Sequence, residues 1–191
     1  MLLRATLIAA CMLALAQDPF RDALNLGHTH DEALFESFNR SYQLAVSGTI
    51  DSAEIITEFR RAVILVRDRD ALGDYIQDTR TLSNALTPFA GLVTFVVQVR
   101  LNPLNTYGKA PAYELYISTG PTTKPLAAKP YVREPIYPVG AAPTNAGMIA
   151  VRMTASFPRA DIESASQPAL VVTDDHAEIL WQARVDLRRY R

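Results

Sequence analysis

The hydrophobic period of this chain changes once, close to Gly91, and that change confines it to folds in which helices precede antiparallel strands. Ahead of Pro88 the apolar residues recur at spacings of three and four; beyond Gly91 they alternate. Leu34, Phe35, Phe38, Tyr42 and Ala45 predict a helix over 31–46, stopped by Ser47-Gly48. Asp51, with Glu54 three residues on, has the form of a capped start for a second helix, whose apolar face is Ile55, Ile56, Phe59, Ala62, Val63 and Val66. Tyr75, Ile76, Thr79, Leu82 and Leu86 carry the period on to Pro88, so two or three helices fall within 31–87. Arg60, Arg61 and Arg67 alternate with Glu58, Asp68 and Asp70, which predicts a solvated face of ion pairs.

Beyond Gly91 the residues Val93, Phe95, Val97, Val99 and Leu101 predict a strand with one buried face. Tyr113 to Thr119 gives a second strand, and Met148 to Phe157 a third with Ile149, Val151, Met153, Ala155 and Phe157 inward. Ala169 to Thr173 and Glu178 to Leu187 form a hairpin about Asp174-Asp175, its second arm burying Ile179, Trp181, Ala183, Val185 and Leu187. About five strands with no helical crossover imply an antiparallel β region over 88–191, closed as a small sandwich or packed on the helices. The expected class is α+β.

Six of the 12 prolines fall within 121–143, interleaved with Lys124, Lys129, Tyr131, Arg133 and Tyr137. Proline fixes φ and removes a donor, so this segment is expected to be extended and polyproline-like, neither strand nor helix. A connection of that length is either a stiff crossover on the surface or a functional arm. As an arm it would offer Tyr131, Arg133 and Tyr137 to a partner, aromatic faces with a basic rim.

The front of the chain is different again. Met1 to Arg4 is a short basic region, Ala5 to Leu15 carries no charge, and Ala14-Leu15-Ala16 is a small-x-small pattern, so residues 1–16 are expected to be a secretory signal peptide and 17–30 an extended segment after it. A run of about a dozen apolar residues is too short to span the hydrocarbon core as a helix. Ile8-Ala9-Ala10-Cys11 is also a lipobox-like pattern, which leaves a lipid anchor through Cys11 as the alternative to a periplasmic or secreted product. Cys11 is the only cysteine, so no internal disulfide is available. With 19 basic and 20 acidic residues among 191, a net charge of −1 supplies no field for nucleic acid.

Catalytic patterns are sparse. There is no G-x-S-x-G, S-x-x-K, H-E-x-x-H or phosphate-cradling glycine motif in the sequence. His28-Thr29-His30 would face one side of an extended segment, and His176 stands beside Asp174-Asp175, so His28, His30 and His176 could hold zinc or another divalent metal in a hydrolase. The same residues are explained without metal by a helix start at Thr29 to Glu32 and by ordinary turn chemistry. The sequence therefore points to an exported, non-catalytic binding or assembly component of the cell envelope or extracellular space, acting through its proline-rich arm. A metal-dependent hydrolase and a small-ligand carrier are the alternatives.

Overall fold

A computed structural model of the chain describes residues 18–104, 109–120, 124–128, 130–139 and 147–191. The signal-peptide reading of 1–16, with Cys11, lies outside them, as do 121–123, 129 and 140–143 of the proline-rich segment. The fold is mixed α+β, with five α-helices and two four-stranded antiparallel sheets among the described residues.

Helix α1 (Pro19–Gly27) occupies the segment expected to be extended. Asp18 accepts from the Phe20 N–H at 3.0 Å and Pro19 opens the first turn, both of which favour a helix start. Helix α2 (Glu32–Arg40) starts at Asp31, whose carboxylate accepts from the Leu34 N–H at 3.0 Å. It ends six residues before the expected limit at 46, because Tyr42 turns inward and Gln43 bridges to Glu54 of the next element.

That element is a strand, β1 (Ile50–Ile56), not the opening of a helix. Ala53 and Ile55 are buried while Glu54 and Ile56 are only partly so, the two-residue alternation of a strand. The helix start is displaced to Thr57, a fully buried N-cap that accepts from the Arg60 N–H at 3.3 Å and opens α3 (Glu58–Ala71). Helix α4 (Thr79–Leu86) follows, capped by Asp78, and a 3₁₀ turn at Thr87–Phe89 leads into the sheets.

The first sheet has the order β1, β2 (Leu92–Arg100), β6 (Ala150–Pro158), β5 (Tyr131–Ile136). The second has the order β4 (Leu126–Ala127), β3 (Glu114–Ser118), β7 (Ala169–Thr173), β8 (Ile179–Arg184), and α5 (Arg159–Ser164) links β6 to β7. The described residues thus form eight strands where about five were expected. Phe95 and Val97 of β2, Met153 and Phe157 of β6, Ile117 of β3, and Leu170 and Val172 of β7 meet in one core shared by both sheets. Phe95 and Phe157 touch edge to face at 5.9 Å between ring centroids, a packing worth about 0.5–1.5 kcal/mol beyond the area it buries.

Leu34 and Tyr75 of the expected helical stripes are exposed, 49 % and 62 %, and so are two residues of the expected strand alternation. Ile149 is 47 % exposed because β6 begins only at Ala150. Ile179 is 60 % exposed because a bulge between Val172 and Thr173 pairs Thr173 with Ile179 while Val172 pairs with Trp181, which shifts Ile179 off the inward alternation.

The helices share a second apolar cluster in which Ala23 and Leu24 of α1 meet Ala62, Val63 and Val66 of α3 and Leu82 and Leu86 of α4. A polar seam joins α3 to the first sheet. The Arg61 guanidinium donates to Thr94 Oγ1 at 2.7 Å and lies 4.0 Å from the Phe89 ring centre, and Thr94 bonds Ser156 at 2.7 Å. Burial lowers the Arg61 pKa, the expected effect of desolvating a cation. Among the described residues no helix is long and apolar enough to cross a membrane.

Candidate functional site

The described part of the proline-rich segment is not a polyproline arm. Leu126–Ala127 pairs with β3, and Tyr131–Ile136 forms β5 at one end of the first sheet. The correction has a main-chain cause. The Pro130 carbonyl accepts from Ser156 N–H at 3.1 Å and the Ile136 carbonyl from Ile149 N–H at 2.9 Å, so even-numbered residues direct their main-chain groups at β6. Odd-numbered residues direct theirs outward by the two-residue period of a strand. Pro135 therefore lacks its N–H on the side where no ladder bond is needed, which is where an edge strand tolerates proline.

The three side chains expected to meet a partner divide on this scaffold. Tyr131 is half-buried, packs against the shared core and donates its hydroxyl to the Tyr113 carbonyl at 2.7 Å. Burial pushes its hydroxyl pKa up, opposed by nearby Arg133 and reinforced by Glu114. Arg133 is exposed and lies 5.9 Å from the Tyr131 ring centre, with weak reach to the Pro111 and Tyr113 carbonyls at 3.5 and 3.4 Å. Tyr137 is partly buried against the same core. The tyrosines thus hold the strand down, while Val132, Arg133, Glu134 and Pro135 remain exposed. Sequence reasoning missed Val132 and Glu134; their alternation with Tyr131 and Arg133 was the available signal.

The histidines occupy separate settings. His28 is the C-cap of α1; its Nδ1 is 2.5 Å from Asp70 Oδ2 and its Nε2 2.9 Å from the Ile76 carbonyl oxygen, so both ring nitrogens already face acceptors. This ties the end of α1 to the end of α3 and to the loop before α4. His30 is exposed and, with His28, Arg67, Asp70 and Tyr75, lines a cleft of about 230 Å³. His176 stands in the β7–β8 turn, 3.7 Å from Asp175, where the Asp174 carboxylate accepts the His176 and Glu178 N–H groups. Among the described residues no group of three or more His, Cys, Asp or Glu is arranged to hold a metal ion.

Two larger clefts, of about 740 and 640 Å³, flank the residues after β8. The first lies against α5, the second against 41–45, and Arg184, Arg189 and Tyr190 line both. The C-terminal residues cross from the second sheet to the helices: Tyr190 packs 5.6 Å from Tyr42, and Arg191 bonds Asp22 at 3.0 Å and lies 5.0 Å from the Phe59 ring centre. Tyr42 has its pKa raised by burial, with Thr57, Arg60 and Arg191 pulling the other way.

Comparison with protein-family models, with curated proteins and with solved structures finds no match to this chain.

Proposed function

We propose that this chain is an exported, non-catalytic binding or assembly component of the cell envelope or extracellular space, and that it engages an extended segment of a partner protein along the outer side of β5. One observation carries the reading: among the described residues β5 is the last strand of its sheet, and Tyr131, Arg133 and Pro135 direct their main-chain groups away from β6. An edge of that kind is a template for a further strand, with the main chain supplying affinity and alternate side chains supplying selectivity. Val132 and Glu134, exposed on one face, and Arg133 on the other would read the partner. Pro135 and the charges at 133 and 134 restrict pairing to a short register, which suits docking and disfavours open-ended sheet growth. Export rests on the pattern of residues 1–16.

The test places a photoreactive amino acid at Val132 and, as control, at exposed Asn84 on α4, in the full chain expressed in cells. The reading expects a discrete adduct from position 132 alone, abolished by Arg133→Pro, which removes an outward N–H and no bond to β6. Equal labelling from both positions, or an adduct indifferent to Arg133→Pro in a variant of unchanged melting temperature, would overturn it.

A further inference from the structure

The two clefts beside the C-terminal segment share a wall that carries two arginines, Arg184 and Arg189. Some arginines elsewhere are matched by carboxylates, Arg60 by Glu54, Arg67 by Glu32, Arg100 by Asp51 and Arg191 by Asp22, whereas Arg61 and Arg133 meet neutral oxygens and aromatic rings. The acids that line the larger cleft are also committed, Glu163 to Arg159 at 2.7 Å and Asp186 to Arg188 at 2.9 Å. The Arg188 guanidinium holds the Asp186 carboxyl below its usual range. Arg184 and Arg189 are exposed and form no ion pair among the described residues, although the charge of Arg189 is near enough to Asp186 to help lower its pKa. The smaller cleft is lined by both of them, by Gln43 and Gln182, and by no described acid.

We propose that Arg184 and Arg189 form the oxyanion site of a small organic ligand bearing a carboxylate or phosphate, seated in the cleft of about 640 Å³ between 41–45 and β8. Guanidinium forks match both oxyanions with paired N–H donors, and a concave wall focuses their field more than a flat surface does. Gln43 and Gln182 supply neutral amide donors, and the Tyr190 ring, half-buried against Tyr42, supplies an apolar face for the ligand body. The site is held on regular structure. Arg184 ends β8 in register with Ala169, and Arg189 closes a 3₁₀ turn whose start is capped by Asp186 accepting from the Arg188 N–H. An anion bridging the two would fasten the C-terminal segment to β8, so binding must raise the melting temperature. This site is separate from the β5 edge, and either proposal can fail without the other.

The experiment titrates the full chain by calorimetry with phenyl phosphate, with citrate and with phosphatidylglycerol vesicles. The proposal expects saturable one-to-one binding of phenyl phosphate or citrate, weakened about tenfold or more by Arg184→Gln or Arg189→Gln and unaltered by Arg80→Gln on α4. Arg189→Lys, which keeps the charge and loses the fork, should fall between. No saturable heat with either soluble anion up to about 10 mM would overturn it, since that limit corresponds to less than about 3 kcal/mol of binding. Response to vesicles alone, or equal weakening by Arg80→Gln, would overturn it as well, the first by assigning the arginines to a lipid surface and the second by showing bulk charge alone.

Discussion

Gly27 is the position where a single methyl group should do most harm to the helical layer. It is the last residue of α1, and a Cβ built there would lie 2.6 Å from Val66 Cβ, 2.7 Å from Val66 Cγ1 and 3.0 Å from the Val63 carbonyl oxygen. Two of those atoms belong to or adjoin the α3 main chain and cannot rotate away. In an unobstructed helix Gly→Ala gains about 0.5–1 kcal/mol by propensity, whereas one surplus carbon in a packed interface costs about 1–3 kcal/mol. Pushing α1 outward would also stretch the two contacts of His28 with Asp70 and the Ile76 carbonyl, each worth about 1 kcal/mol. The overpacking side wins: Gly27→Ala is expected to destabilise by about 1–3 kcal/mol, a fall of roughly 2–10 °C in melting temperature for a domain of this size. Urea unfolding followed by circular dichroism measures it. Adding Val66→Ala removes the Cγ1 contact while leaving Cβ, so the double variant should lose less than the sum of the single losses. A Gly27→Ala protein more stable than its parent would refute the close α1–α3 docking.

Other expectations follow from single residues. Ala177, in the β7–β8 turn, holds φ at 63°, so Ala177→Gly should stabilise by about 1 kcal/mol, visible as a higher urea midpoint, and a lower midpoint would contradict the turn geometry. Thr57→Ala removes the buried cap of α3 and should cost about 1 kcal/mol in the same assay, with no loss if the cap bond is absent. Because burial raises the Tyr42 pKa above its ordinary value of 10.0, the folded state keeps the hydroxyl proton longer than the unfolded chain. That contribution is whole below about pH 10 and is lost as pH rises through the folded value, so stability should fall in alkali and Tyr42→Phe should make the fall shallower. Parallel pH curves for parent and variant would exclude that role for Tyr42.

Strands buried on one face were the most legible elements. Val93 to Leu101 alternates with the exception of Val96, Val151 to Phe157 alternates throughout, and both lie where the period put them. β1 was hidden by coincidence. Asp51 and Glu54 have capping-box spacing, and Ile55 and Ile56 are in helical phase with Phe59, Ala62 and Val63, so the pattern ran through Thr57, where the chain in fact changes from strand to helix. α1 lies in the segment expected to be extended, although Asp18-Pro19 is a helix-start signal. β5 was missed because proline density argues against strand pairing, an argument that fails at a sheet edge when the absent donor points outward. The tyrosines flagged in the arm do matter, but as groups that hold β5 to the core. The clefts were not legible, because Arg184 and Arg189 meet Gln43 only through the long-range pairing of β8 and the inward turn at Tyr42.

The account turns on β5 offering one side of its main chain to a partner, and amide hydrogen exchange of the isolated protein reads this residue by residue. The N–H groups of Val132 and Glu134, directed at β6, should be protected, while those of Tyr131 and Arg133 should exchange at rates near those of exposed amides. Uniform protection across 131–134, or slow exchange at Tyr131 and Arg133 with fast exchange at Val132 and Glu134, would contradict an available edge.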